Sequence, residues 1–376
     1  MPKTKVGIIG CGNISGIYFK SGCRFGNFEV VAAADIDLAR AQAKVEEIAA
    51  KKDEWKFDRA PVALSVKDLL AHPDVELVMN LTIPKAHVEV ALASLDAGKH
   101  TYSEKPFAVS RDDARRVLDL AHKKNLRVGC APDTFLGGGH QTCRKALDDG
   151  WIGRPLAATA FMTCPGHERW HPNPEFYYQP GGGPMFDMGP YYLTALVNML
   201  GPVTRVCGMA GISYPQRVIL SQPKHGQRIT VETPTHISTS LEFASGVIAT
   251  LVMSFDVWAA ELPRIEIYGS LGSLSVPDPN GFGGPVKIRL AAASAWSDLP
   301  LAFGYQDNSR GIGVADMVDA LSAARPHRAS AELANHVLDI MSASLEAAAA
   351  GKTITLTTTC PRPAPLPLGL REGQIA

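Results

Sequence analysis

The 376-residue chain has no surplus of charge of either sign: 37 Lys and Arg balance 37 Asp and Glu. Proteins that grip nucleic acid phosphates, or an anionic membrane surface, carry a marked positive excess, so neither role is expected. No apolar run reaches the roughly 18 residues needed to cross a bilayer. The seven cysteines (Cys11, Cys23, Cys130, Cys143, Cys164, Cys207 and Cys360) form no CxxC pair. Their odd number and wide spacing fit reduced thiols and argue against a disulfide framework or a zinc site. The N-terminus runs from Thr4 straight into a strand-like segment, leaving no room for a signal peptide, and the cytoplasm is the expected compartment. No internal repeat is seen, and the only biased segment is a proline-rich end.

What is present is an ordinary globular composition, 46% hydrophobic and 20% charged, which excludes disorder. At about 150 residues per domain the length suggests two domains. The first third alternates strand and helix signals. Val6-Gly7-Ile8-Ile9, Phe28 to Ala34, Glu76 to Leu81, His100 to Ser103 and Arg127 to Ala131 read as short apolar strands. Helical stretches lie between them: Asp37 to Ala50, His87 to Ala97 before Gly98, and a segment capped by Ser110 that runs to about Lys123. This alternation predicts a doubly wound parallel sheet with helices on both faces. After about residue 150 the pattern changes to longer alternating strands, Ile237 to Phe243 and Val247 to Phe255 around a hairpin turn, then Ile265 to Tyr268 and Gly272 to Val276. Tyr191 to Leu200, Gly311 to Ala324 and Ala331 to Ala350 read as helices. Pro361, Pro363, Pro365 and Pro367 predict an extended tail.

Gly10-Cys11-Gly12-Asn13-Ile14-Ser15 joins the first strand to a helix. Gly10 suits a tight turn, and Gly12 lets a pyrophosphate approach the helix N-terminal amides. Ser15 stands where a third Gly or Ala is usual, beside Gly16. Asp35 closes the second strand about 20 residues further on, where a carboxylate binds ribose hydroxyls and repels a 2′-phosphate. With no Arg or Lys before Arg40, NAD is favoured over NADP.

Glu104-Lys105-Pro106 follows the strand His100 to Ser103, at a strand end where doubly wound sheets bind ligands. A lysine there can hold a substrate oxygen as hydride leaves. The string Thr82-Ile83-Pro84, His87, Ala91 to His100 and Glu104-Lys105-Pro106 resembles the Gfo/Idh/MocA family, which contains glucose–fructose oxidoreductase and inositol dehydrogenase. The resemblance continues in Gly181-Gly182-Gly183-Pro184-Met185-Phe186-Asp187-Met188-Gly189, in Tyr268 to Leu274 and in Arg325 to His336, in order and over almost the whole chain.

The resemblance implies a dinucleotide-binding Rossmann domain, 1–130, and an α/β domain, 131–376, with a large mainly antiparallel sheet. That sheet would join the chain into a homodimer or homotetramer. The implied reaction is an NAD(P)-dependent transfer of hydride to or from a sugar, polyol or sugar derivative. Lys105 would be catalytic, its bond to Pro106 is often cis in such proteins, and Asp187 would bind substrate. Cofactor contacts are implied at Gly10, Gly12, Asn13, Ile14, Asp35, Thr82, Pro84, His87, Glu104 and Lys105.

The chain departs from the family pattern at one point. The usual motif is Asp-x-Gly-x-His, its His the proton acceptor; here Tyr191 stands in that position. A tyrosine with a pKa near ~10 is a poor base at neutral pH unless a cation such as Lys105 stabilises its phenolate. His167 and His171, in a Pro/Gly-rich loop before the glycine run, are the other candidates for proton transfer. Trp170, Phe176, Tyr177 and Tyr178 beside them can stack on a sugar ring. The His-x3-His spacing raises metal binding, but without a helix to align the pair or a third ligand no metal is expected. Asp133 and His140 flank a glycine run after the last Rossmann strand; they are either substrate contacts or part of an interdomain turn. Two further readings stay open: a glycoside-cleaving or lyase enzyme that cycles a tightly bound NAD, and a non-catalytic sugar sensor.

Overall fold

The computed structural model describes residues 3–57 and 59–376. The chain divides into two compact units, described separately below.

The first unit contains a six-stranded parallel sheet: β1 (Thr4–Ile9), β2 (Phe28–Ala34), β3 (Val62–Leu64), β4 (Leu77–Asn80), β5 (His100–Ser103) and β6 (Val128–Cys130), in the order β3-β2-β1-β4-β5-β6. β4 is buried along its whole length, as expected of a strand covered on both faces. The helices start where the side chains dictate. Asp37 accepts from Ala39 N at 3.1 Å, and Ser110 accepts from Asp113 N at 3.2 Å. The helix Arg111–Lys124 ends on Asn125 in the left-handed region. The three-residue edge strand β3 is too short to carry a period, and the sequence did not reveal it.

The boundary at residue 130 needs correcting. The first unit runs through Gly137 and takes back residues 303–335 and 363–376. Fully buried Asp316, in the helix Ile312–Ser322, gathers Arg325 at 2.8 Å and the Arg328 guanidinium. Arg328 in turn donates to the carbonyls of Ala364 and Pro365, each at 3.0 Å. The Tyr305 hydroxyl donates to Gln374 O, and Arg24 pairs with Asp307 and Glu372. The extended tail is therefore anchored by buried polar groups that local sequence patterns do not reveal.

The second unit comprises residues 138–302 and 336–362. Its strands are β7 (Pro155–Thr163), β8 (Val203–Gly211), β9 (Gln216–Val218), β10 (Arg228–Thr230), β11 (His236–Phe243), β12 (Ile248–Ser254), β13 (Ile265–Gly269), β14 (Gly272–Val276), β15 (Val286–Leu290), β16 (Ser297–Leu299) and β17 (Ile354–Thr355). β9 and β10 form a ribbon of their own. The other nine make one sheet, ordered β16-β15-β14-β13-β7-β12-β11-β8-β17, antiparallel except between β7 and β12. β11 alternates buried and open positions, so the sheet has one covered face. The helices Gly138–Asp148 and Gly183–Leu200 pack on it.

Both helices begin inside glycine runs; the first was not expected as a helix, and the second begins before the expected Tyr191. The second starts at Gly183, whose φ is +73°, with Pro184 next, and Pro190 lies within it. Proline is at home in a first helical turn, where its missing N–H has no partner to lose. The run Gly137 to Gly139 is likewise a helix start and not a free turn.

Candidate active site

In the first unit, the glycine loop leaves β1 with Gly10 at φ +105°. A Cβ there would lie 2.6 Å from the Leu81 carbonyl, so only glycine fits. At Gly12, by contrast, a Cβ would meet nothing within 4 Å. Asn13 and Ile14 are exposed on the same loop. The helix Ser15–Arg24 carries no side-chain cap, and its first amide, Ser15 N, donates to Gly12 O at 3.1 Å. The Ser15 side chain turns inward: it is buried and its hydroxyl donates to the same oxygen at 2.7 Å. The Asp35 carboxylate accepts from Cys11 N at 2.9 Å and Asp37 N at 3.1 Å, which ties it to the loop. Arg40 sits 3.5 Å from the same carboxylate, a neighbour that sequence distance concealed.

At the ends of β4 and β5 lie Thr82, Pro84, Glu104 and Lys105. Glu104 accepts from the Tyr18 hydroxyl at 2.7 Å and from Lys105 N at 3.0 Å. The Lys105–Pro106 peptide is cis. Thr82 donates through its hydroxyl to Asn80 Oδ1 at 2.6 Å. His87 is not exposed to a ligand, contrary to expectation. It is 1% exposed, and its ring nitrogens sit 2.8 Å from Pro106 O and 2.9 Å from Thr82 O. Burial holds its pKa below the ordinary value. The ring braces the loops after β4 and β5 against each other. Asp133 is also structural. Buried, it accepts from Gly311 N at 2.8 Å and Gly313 N at 3.0 Å, capping the helix Ile312–Ser322, and burial raises its pKa to about 6.

In the second unit, Asp187 lies on the helix Gly183–Leu200, one turn before buried Tyr191. The imidazole missing from position 191 arrives from elsewhere in the chain. His167, in the short turn His167–Arg169, places Nε2 2.8 Å from Asp187 Oδ2. Trp170 Nε1 lies 3.2 Å from His167 Nδ1. An indole N–H only donates, so Nδ1 accepts and Nε2 carries the proton given to Asp187. Phe255 and Tyr177 wall the ring, both with centroids at 4.5 Å.

His171 turns away from this pair. Its Nδ1 accepts from Asn173 N at 3.0 Å, its ring packs on Trp170, Phe176 and Tyr177, and burial lowers its pKa. Trp170 and Phe176 are open to solvent, whereas Tyr178 is fully buried and cannot stack on a ligand. His140 is also buried, where desolvation pushes its pKa down to about 4. Sequence reasoning missed Tyr18, Arg40 and Arg217, none of which belongs to a motif.

The glycine loop and the acid at the end of β2 mark the first unit as a dinucleotide-binding domain of an oxidoreductase. Residues 4–131 match the oxidoreductase family with an NAD-binding Rossmann fold, and residues 140–275 match the GFO/IDH/MocA C-terminal domain. The chain belongs to the GFO/IDH/MocA family of NAD-binding oxidoreductases.

It is 28% identical over 302 residues to a 1,5-anhydro-D-fructose reductase of Ensifer adhaerens, covering 78% of this chain and 82% of that protein. Against an inositol 2-dehydrogenase of Salmonella paratyphi B it is 32% identical over 157 residues, 40% of this chain and 44% of that one. Apo levoglucosan dehydrogenase shares the fold with a TM-score of 0.78 at 18% identity, covering 96% of this chain and all of that one.

Proposed function

We propose that this chain transfers hydride between nicotinamide and a hydroxyl-bearing carbon of a sugar, polyol or sugar derivative, with Lys105, Asp187 and His167 as the groups acting on substrate. The observation that carries this reading is the His167–Asp187 pair. It restores an imidazole to the carboxylate of a motif whose own histidine position holds Tyr191.

The residues of the first unit fit NAD. A helix N-terminus without a side-chain cap and the open space at Gly12 suit the pyrophosphate, and Asp35 suits the adenosine ribose. When bound, NAD supplies a hydride acceptor or donor at nicotinamide C4. Exposed Ile36 and Ile83 offer apolar surface to the adenine. Lys105 holds the reacting oxygen, and its positive charge stabilises the alkoxide left when the hydroxyl proton departs, which becomes the carbonyl as hydride leaves its carbon. Asp187 binds a neighbouring hydroxyl. In oxidation the hydroxyl proton passes to His167 Nδ1 once the exposed Trp170 indole releases that nitrogen, and the imidazolium keeps its Nε2–H bond to Asp187. Reduction runs the same path backwards. Trp170 and Phe176 provide the apolar platform for the ring of the substrate.

One relative that spans most of this chain is named as a 1,5-anhydro-D-fructose reductase, and another as an inositol 2-dehydrogenase. Those names and the aromatic platform support a cyclic sugar or cyclitol as substrate. The open face of the nine-stranded sheet, with Met209 81% and Ile248 60% exposed, supports self-association into a homodimer or homotetramer. Cysteines that form no disulfide among the described residues support a cytoplasmic setting.

The test is incubation with NAD and a panel of inositols, aldoses and anhydrosugars, following reduced cofactor by absorbance. Steady accumulation of NADH with at least one of them is expected. Lys105→Ala should lose at least about 100-fold in kcat, the cost of removing one charge-stabilising donor, with NAD affinity kept. Turnover within a few-fold of the unaltered enzyme would remove Lys105 from the mechanism.

A further inference from the structure

We propose that Arg217 is the positioning residue of the His167–Asp187 pair, acting through Glu168 and Tyr178; its kinetic consequence rests on the reading of His167 as proton acceptor.

Arg217 leaves β9 into the interior, where its side chain is 8% exposed. Its guanidinium reaches four groups around His167. Nη1 donates to Glu168 Oε1 at 2.9 Å and to Pro165 O at 3.3 Å, and Nη2 donates to Phe255 O at 3.0 Å and to the Asp256 carboxylate. Pro165 and Glu168 bracket His167 in the chain, and Phe255 supplies the ring that packs on its imidazole. Tyr178 completes the cradle: its hydroxyl donates to the other Glu168 oxygen and accepts the His167 backbone N–H at 3.2 Å. Asp256 is held in turn by Ser213 Oγ at 2.6 Å and Thr235 Oγ1 at 2.7 Å.

The network explains a glycine. Gly166 has φ +97°, and a Cβ there would lie 2.6 Å from Arg217 Nη1 and 2.7 Å from the Tyr178 hydroxyl. His167 therefore follows a residue whose only tolerable side chain is hydrogen.

Stability alone does not account for this arrangement. Two carboxylates and a guanidinium lose their hydration here, and apolar residues of the same volume generally serve stability as well or better. Arg217 Nε has no partner among the described residues, a further cost. What the charges add is directional bonding that an apolar cluster lacks. Only the planar fork of arginine reaches two carbonyls and two carboxylates together; lysine presents a single point charge.

The test uses the full-length chain with Arg217→Met, Arg217→Lys and Tyr178→Phe, each also combined with His167→Ala. In 15N-histidine spectra the His167 signal, assigned by its loss in His167→Ala, reports the Nε2–H form. That signature should give way to mixed tautomers in Arg217→Met and be kept in part in Arg217→Lys. Arg217→Met should lower kcat by about 100-fold and Tyr178→Phe by about tenfold, with the NAD dissociation constant unchanged, as a misplacement of about 1 Å does. In the His167→Ala background neither change should cost more. An unaltered His167 signature in folded Arg217→Met overturns the proposal, as do losses that multiply with His167→Ala. Full activity of His167→Ala would overturn the base reading alone, because the spectrum tests the positioning directly.

Discussion

The Tyr18 hydroxyl donates to Glu104 Oε1 over 2.7 Å, joining the helix after the glycine loop to the residue before Lys105. Tyr18 is fully buried, and burial beside that carboxylate raises its pKa well above the ordinary range. It stays a donor at any working pH. Removing the hydroxyl leaves Glu104 with its bond from Lys105 N alone. Tyr18→Phe is expected to cost about 1–2 kcal/mol in urea unfolding. It should also reduce kcat more than it changes substrate KM, because Lys105 loses a fixed neighbour. Unchanged stability and kinetics would show the contact to be idle.

On the proposed reading, Asp35 and Arg40 act as a pair on the nucleotide preference. The carboxylate repels a 2′-phosphate while holding a guanidinium at 3.5 Å. Asp35→Ser removes the repulsion and frees Arg40 to meet the phosphate. kcat/KM with NADP should rise by about tenfold or more, the value of one modest charge interaction. Adding Arg40→Ala should erase the gain. Equal use of NAD and NADP by the unaltered enzyme would contradict the role given to Asp35.

The second unit carries an acid-sensitive group in His336. Its Nε2 accepts from Val203 N at 3.0 Å and its Nδ1 faces Thr358 Oγ1 at 3.0 Å, so the neutral ring satisfies both partners. Burial holds its pKa at about 4, against an ordinary 6.5. Because the folded value is depressed, stability is complete above pH 6.5 and is lost as pH falls towards 4. The loss approaches about 3 kcal/mol, from 2.5 pH units at 1.36 kcal/mol each. His140, lowered to about 4 by burial, adds a loss of the same sign. Denaturant melts between pH 4 and 7 should show this slope, reduced in His336→Asn; a flat profile in the unaltered chain would refute it.

Met209→Asp and Ile248→Arg place charges on the open face of the large sheet. If the chain self-associates through this face, as proposed, the unaltered protein sediments as an oligomer and each change shifts it towards monomer without lowering its melting temperature, since both side chains are more than half exposed. A monomeric unaltered chain, or an oligomer that neither change disturbs, would overturn the proposed interface.

The dinucleotide-binding domain was legible in the sequence, and the residues proposed to hold the nucleotide are local to it. Gly10, Gly12 and Asp35 fall within one strand–helix–strand stretch, and their spacing carries their meaning. Lys105 was legible through the string around it. The substrate groups were less so. Asp187 sat in a motif, but choosing among Tyr191, His167 and His171 required three dimensions, because the pairing joins a loop to a helix 20 residues away. His87 looked like a contact and is a brace, since sequence does not show burial. Glu104 and Tyr18 are 86 residues apart, and nothing in either segment announces the other. The helix from Gly183 was hidden by glycine and proline, which read as loop when their place in a first turn is unseen.

The nucleotide-binding unit takes its last fourteen residues, 363–376, from the far end of the chain. During synthesis the glycine loop is made early, yet Arg24 meets Glu372 and Tyr305 meets Gln374 only after 348 and 69 further residues have followed. All six strands of the parallel sheet lie before residue 131, so the sheet can pair early in synthesis, whereas the clasp between Arg24 and Glu372 closes much later. A chain cut after Arg362 should keep the parallel sheet and lose this clasp, which would show as faster amide exchange in the helix Ser15–Arg24.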